Sequence, residues 1–154
     1  MGEHRTKKTA KKCINSTMSE STFQRYILAA FDGDENVKMF RRNVGGFEGK
    51  KGQYIRFGQS GQSDLWGWIT EHRCLFCDRV QFGTHFEIEV KSDKGKPTQM
   101  QLNWLQMVAE NNGIAILVHP EPTDPVGLRN RILKLILGTK CPQCVESLGK
   151  EAEQ

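Results

Sequence analysis

The stretch Thr84 to Gln101, THFEIEVKSDKGKPTQMQ, decides how the chain folds. As a strand over His85 to Lys91 it alternates with period two, placing Phe86, Ile88 and Val90 on one face and Glu87, Glu89 and Lys91 on the other. The apolar face belongs on a core. The charged face either meets solvent, as the second face of a strand commonly does, or lines a site. Ser92 to Pro97 then reads as a turn. Thr98 to Asn111 reads as a helix with Leu102, Leu105, Val108 and Ala109 inward, ended by Asn112-Gly113. Gln101 lies four before Leu105 and seven before Val108, so it faces the same side, at the helix end nearest the charged strand. A buried glutamine needs partners, either a structural hydrogen bond or a water or phosphate that it holds.

Upstream, Ser19 to Phe31 predicts a helix with Ser19 as N-cap and Phe23, Ile27, Ala30 and Phe31 as its buried stripe. Glu20 and Gln24 lie on the side shared with Ile27 and Phe31 and point inward near the start of that stripe. For Glu20 the bland alternative is a first-turn carboxylate that complements the helix dipole. Asp32-Gly33-Asp34 breaks the helix, and Val37 to Val44 has the character of a strand closed by Gly45-Gly46. A loop over Glu48 to Gly52 and an extended segment over Gln53 to Phe57 follow. GQSGQSD then leads into a strand from Asp64 to Ile69 on which Asp64, Trp66 and Trp68 share one face. The glycines before Asp64 let the backbone bend sharply or pass close to a ligand.

Downstream, Ile114 to Val118 is a short apolar strand suited to the sheet interior, and His119 beyond it reads as a loop residue. Pro125 to Leu137 predicts a third helix with proline at its start. The fold class expected is therefore α/β: a mixed central sheet flanked by helices, in the order αβββαβ plus a C-terminal helix.

The chain has 154 residues, enough for one domain with a core of its own. Residues 1–18 form a leader expected to be disordered. Its first twelve positions hold Arg5, Lys7, Lys8, Lys11 and Lys12 against Glu3, which accounts for the whole formal net charge of +4. Such a leader is either solvated or attracted to nucleic acid or an anionic surface. It lacks the apolar segment of a secretory signal, and no run approaches a membrane span, so an intracellular protein without a membrane partner is expected. Residues 19–140 make the folded domain and 141–154 a C-terminal tail. Two C-x-x-C pairs, Cys74 with Cys77 and Cys141 with Cys144, have the spacing of zinc knuckles. They are candidate Zn2+ ligands, with reduced thiols or a redox pair as the competing readings. Cys13 is left over.

Asp64, Glu89 and Glu20 are oxygen donors on three separate elements. Gathered in one cleft they would repel one another unless a cation or Lys91 neutralised them. Hard carboxylate oxygens suit Mg2+ or Mn2+, and such a site fits phosphodiester hydrolysis, with the Lys91 ammonium stabilising the charge that develops.

The ordered combination GQSGQSDLWGW, HFEIEVKSDKGKPTQMQ and an apolar strand after NNG resembles the VRR-NUC nucleases, a virus-type replication-repair branch of the PD-(D/E)xK superfamily. SESTFQ in the first helix, FRRNVGGF and IRFG extend the resemblance over roughly residues 19–120. It implies a restriction-endonuclease-like core in which Asp64 and Glu89 bind the catalytic metal and Glu20 completes its shell. It implies further that Lys91 acts on the attacking water or the transition-state charge, and that Gln101 positions the substrate phosphate or that water. The choice of Glu89 over its neighbour Glu87 rests on the family's E-x-K register. Relatives of this kind resemble homodimers acting on branched DNA. The C-x-x-C pairs lie outside the family pattern. The activity expected is metal-dependent DNA cleavage in replication, repair or recombination, against a non-catalytic, zinc-supported nucleic-acid-binding module as the competing reading. Cys74 and Cys77 as a redox centre rank below both, since no thioredoxin-like strand-to-helix context surrounds them.

Overall fold

In the computed structural model the described residues are 14–15, 17–73, 78 and 80–138, with the backbone alone described at 71–73 and 81–82. The elements run α1 (Glu20–Ala30), β1 (Val37–Arg41), β2 (Gly45–Glu48), β3 (Tyr54–Phe57), β4 (Leu65–Arg73), β5 (Val80–Val90), α2 (Gln99–Glu110), β6 (Ile114–Val118) and α3 (Pro125–Leu137). Four strands form one sheet in the order β1-β4-β5-β6, antiparallel except where β6 joins β5 in parallel. The protein is thus α/β with a mixed sheet and three helices. The strands of that sheet, taken with the helices, follow the expected αβββαβ order with a C-terminal helix, which is compatible with a restriction-endonuclease-like core.

One face of the sheet makes the core. Phe86, Ile88 and Val90 of β5 pack with Leu65 and Ile69 of β4, Val37 of β1 and Ile114, Ile116 and Val118 of β6. Phe23 and Ile27 of α1 and Leu128, Ile132 and Ile136 of α3 cover them. Between Leu65 and Ile69 the inward position is Gly67, because a Cβ there would lie 1.9 Å from the Lys38 carbonyl oxygen. α1 starts as expected, with the Ser19 side chain accepting from the Thr22 N–H. α3 starts on Asp124, whose carboxylate accepts from the Gly127 N–H, with Pro125 in its first turn.

Four expectations need correction. The strand from Val37 stops at Arg41, and Gly45-Gly46 opens β2 instead of closing β1. A Cβ on Gly46 would collide with the Tyr54 ring, so the glycine is what lets β2 and β3 pair. Five strands therefore separate α1 and α2, two of them forming a hairpin of their own. Second, β6 is an edge strand. It is apolar because Ile114, Ile116 and Val118 are buried, while Leu117 on its other face stays 38 % exposed. Third, Leu102 and Ala109 of α2 are exposed, Leu105 is half-buried and Val108 is buried. The helix instead turns the edge bearing Gln101, Trp104 and Val108 to the sheet, because Gln101 and Trp104 bond to Glu89 and Glu87. Last, Ile14, assigned to the leader, is buried in the core and its backbone pairs with Thr123. Burial of the isoleucine side chain, worth about 1.5–3 kcal/mol, helps offset the cost of ordering the backbone there.

Cys74 and Cys77 fall in sequence between β4 and β5, which pair antiparallel, as expected for a connection between such strands. All five cysteines lie outside the described residues.

Candidate active site

The second face of the sheet carries the charged side chains. Leu65 opposes Ile88 and Trp66 opposes Glu87, so Asp64, one residue before β4, comes opposite Glu89. Pairing with β5 has not begun at that point, although the Asp64 carbonyl accepts the Arg42 N–H at 2.8 Å. The Asp64 carboxylate takes over, accepting the Val90 N–H through Oδ2 at 2.9 Å. Glu89 is fully buried. Its Oε1 receives Lys91 Nζ at 2.6 Å and the Gln101 side-chain amide. Its Oε2 is buried and finds no hydrogen-bond partner among the described residues.

Gln101 is fixed from behind. It is the third residue of α2, and its side-chain oxygen accepts the Thr98 N–H at 2.8 Å, completing a capping box. That bond leaves its amide nitrogen for Glu89, so the helix start and the site share one side chain. Glu20, in the first turn of α1, is half-buried and receives the Ser92 N–H at 3.0 Å through Oε1. It thereby ties α1 to the turn that follows Lys91.

Electrostatics draw the same cluster together. Burial, the largest influence, pushes Glu89 up to about 7; the charges of Asp64 and Glu20 push the same way and Lys91 opposes them. Asp64 is raised as well, first by burial and then by Glu20, against the Val90 N–H, Lys91 and Arg41. Carboxylates that disturb one another in this way are close, and Lys91 neutralises them only in part.

Glu87 is different. Burial would raise its pKa, but Arg42 at 2.7 Å, the Trp104 indole N–H at 2.6 Å and His85 at 3.1 Å hold it below the ordinary value. Both its oxygens are occupied. It works as a tie between β1's end, β5 and α2, and of the two glutamates only Glu89 has an oxygen without a hydrogen bond among the described residues.

A cleft of about 490 Å³ opens beside Asp64, lined by Gln24, Arg41, Arg42, Ser63, Gln62 and Gln101, with Val44 and Phe57 from the base of the β2–β3 hairpin. The Ser63 hydroxyl is buried there without a partner among the described residues. Sequence reasoning missed Trp104, Arg42 and Ser63 as site residues. Trp104 was legible in principle, since it lies three residues after Gln101 and so on the same helix face. His119 sits just past β6, as expected of a loop residue, with Nδ1 2.8 Å from the Ser92 carbonyl oxygen.

Among the described residues no three His, Cys, Asp or Glu side chains form a preformed metal cage. The donor chemistry nonetheless fits a hard divalent cation. Glu20 of α1, Asp64 just before β4 and Glu89 of β5 act on one another electrostatically, the latter two have raised pKa values, and one buried carboxylate oxygen lacks a hydrogen bond among the described residues. No helix among the described residues is long and apolar enough to cross a membrane. No protein-family model matches the chain, and no curated protein does.

Proposed function

We propose that the protein is a metal-dependent nuclease that hydrolyses phosphodiester bonds in DNA, with Asp64, Glu89, Lys91, Gln101 and Glu20 as its site. The observation that carries this reading is Glu89: a fully buried carboxylate with one oxygen shared by Lys91 and Gln101 and the other unpartnered, facing Asp64 across the sheet. Burying a carboxylate costs several kcal/mol, of order, unless something answers it. A structural glutamate would be saturated as Glu87 is. The resemblance to VRR-NUC nucleases supports the same assignment, residue for residue.

Asp64 and Glu89 would hold Mg2+ or Mn2+, with Glu20 at the edge of the shell. The bound metal would polarise the phosphoryl oxygens and make hydroxide available near neutral pH. Lys91 sets the charge of the site: its ammonium beside Glu89 favours the ionised carboxylate, and it would stabilise the negative charge that develops on the phosphoryl oxygens. Gln101, held by its capping box, orients Glu89 and presents the same side chain to the cleft. Arg41 and Arg42, on the cleft wall, supply positive charge for the neighbouring phosphates.

Branched DNA as the preferred substrate and a homodimeric assembly follow from the resemblance and belong to this proposal. Its test is cleavage of a labelled four-way junction and the matching linear duplex by purified protein. Metal-dependent cutting that Lys91→Ala abolishes supports the nuclease, and a faster rate on the junction supports the branched substrate. Salt-sensitive binding with no cutting on either would instead favour a zinc-supported binding module, in which Cys74, Cys77, Cys141 and Cys144 carry the structure and the carboxylates are scaffold.

A further inference from the structure

We propose that Phe40, Trp66 and Trp68 form a stacking platform for unpaired nucleobases beside the carboxylates, so that the protein grips a single-stranded segment next to the bond it cuts. This deepens the nuclease reading and rests on it.

Strand register sets the geometry. Along the site face of the sheet, the row of Asp64 and Glu89 is followed by Phe40–Trp66–Glu87 and then by Lys38–Trp68–His85. Successive rows lie two residues apart, about 7 Å. α2 packs over β5 and β6. On the β1–β4 half two of the rings are left to solvent, Phe40 43 % and Trp68 38 % exposed, with Trp66 half-buried between them. Phe40 lies 5.3 Å from Trp66 and 5.4 Å from Trp68, centroid to centroid, and the two indoles are 6.1 Å apart. Three touching aromatic rings on an open sheet face are more than scattered surface hydrophobes.

Cations frame these rings. The Arg42 guanidinium, ion-paired with Glu87, sits over Trp66 at 5.4 Å. Lys38 is exposed at the far row and Arg41 at the end of β1. Aromatic faces between cations match a strand whose bases are splayed and whose phosphates are charged. A duplex hides its base faces inside the stack and offers such rings nothing. A second copy docked here about a two-fold axis would bring the same cations towards their own counterparts, which an anionic strand would neutralise.

The test is a titration of the full chain, in EDTA, with a short oligothymidylate and separately with a hairpin duplex, read by tryptophan emission and by anisotropy of the labelled DNA. Stacking on Trp68 predicts quenching by the oligothymidylate. Phe40→Ala and Trp68→Ala should each weaken its binding roughly five- to a hundred-fold, the range of one base–aromatic stack, and lower its affinity relative to the duplex. Trp68→Phe, which keeps a ring and is the safeguard should the alanine variant fail to fold, should bind nearly as the parent does. Unchanged oligothymidylate affinity in the folded variants would overturn the platform. So would a change of oligomeric state in Trp68→Ala by light scattering, since the rings would then belong to a contact between copies. The two proposals separate cleanly: cleavage with Mg2+ but no quenching removes the platform alone, and quenching with no cleavage on any DNA removes the nuclease alone.

Discussion

Glu89 stands under opposed demands: burial asks it to keep a proton, while Lys91, and the divalent cation proposed above, ask it to lose one. Without metal its pKa is about 7, against an ordinary 4.5 in the unfolded chain. Between those values the native state holds a proton that the unfolded state has released. Stability should therefore be greatest at the acidic end of the window, fall as pH rises towards about 7, and level off beyond, with a total change of up to about 3 kcal/mol. Glu87, whose pKa is lowered, contributes with the opposite sign: its stabilisation is complete above the ordinary 4.5 and is lost only on further acidification. Urea unfolding in EDTA from about pH 5 to about pH 8 checks this; Glu89→Gln should flatten the slope, and an unchanged slope would show that another group sets it. Lys91→Met removes the cation from Glu89 Oε1. Cleavage should fall by about a hundredfold or more, as when a charge-stabilising group is lost. In the same variant the metal-free stability should keep falling to higher pH, because Glu89 would then hold its proton more tightly; an unchanged profile would show that Lys91 does not set the charge of Glu89, and unchanged cleavage that its role is structural.

At the scale of elements, α2 is the piece that the hydrophobic pattern misplaces. Leu102 and Ala109 suggest an apolar stripe, yet the helix docks by polar contacts, Gln101 to Glu89 and Trp104 to Glu87. Periodicity weighs hydrophobicity, and buried hydrogen bonds do not register in it. Gln101 stood out because it faced the charged strand; Trp104 did not, because a tryptophan reads as core. Trp104→Phe should leave the helix in place but deprive buried Glu87 of one donor, costing about 1–3 kcal/mol in an unfolding titration. A variant as stable as the parent would show that Arg42 and His85 alone satisfy Glu87. Much else at this scale was legible. The alternation over Phe86 to Lys91 placed both faces of β5, Ser19 caps α1 as expected, and Pro125 starts α3, whereas the register that sets Asp64 opposite Glu89 and the Asp124 cap came only with the structure. The β2–β3 hairpin was not legible, because Gly45-Gly46 reads as a terminator until the Tyr54 ring that needs the missing Cβ is known.

For the whole molecule, the sheet separates labour between its faces. One is apolar and sandwiched by α1 and α3. The other holds the carboxylates, half covered by α2 and half open along Phe40 and Trp68. The hairpin inserted between β1 and β4 stands at the cleft with Phe47, Tyr54, Ile55 and Phe57 exposed, and its base forms one cleft wall. An arrangement with an open, cation-lined cleft over buried carboxylates suits a long anionic polymer better than a small molecule, which a closed pocket would hold. The most direct measurement is strand cleavage of end-labelled DNA by the parent and by Asp64→Ala, each with Mn2+ and with EDTA, the two proteins first shown to melt alike. The account predicts cutting by the parent with Mn2+ alone and none by Asp64→Ala under either condition. Cutting by the parent in EDTA, or Mn2+-dependent cutting undiminished in Asp64→Ala, would contradict it.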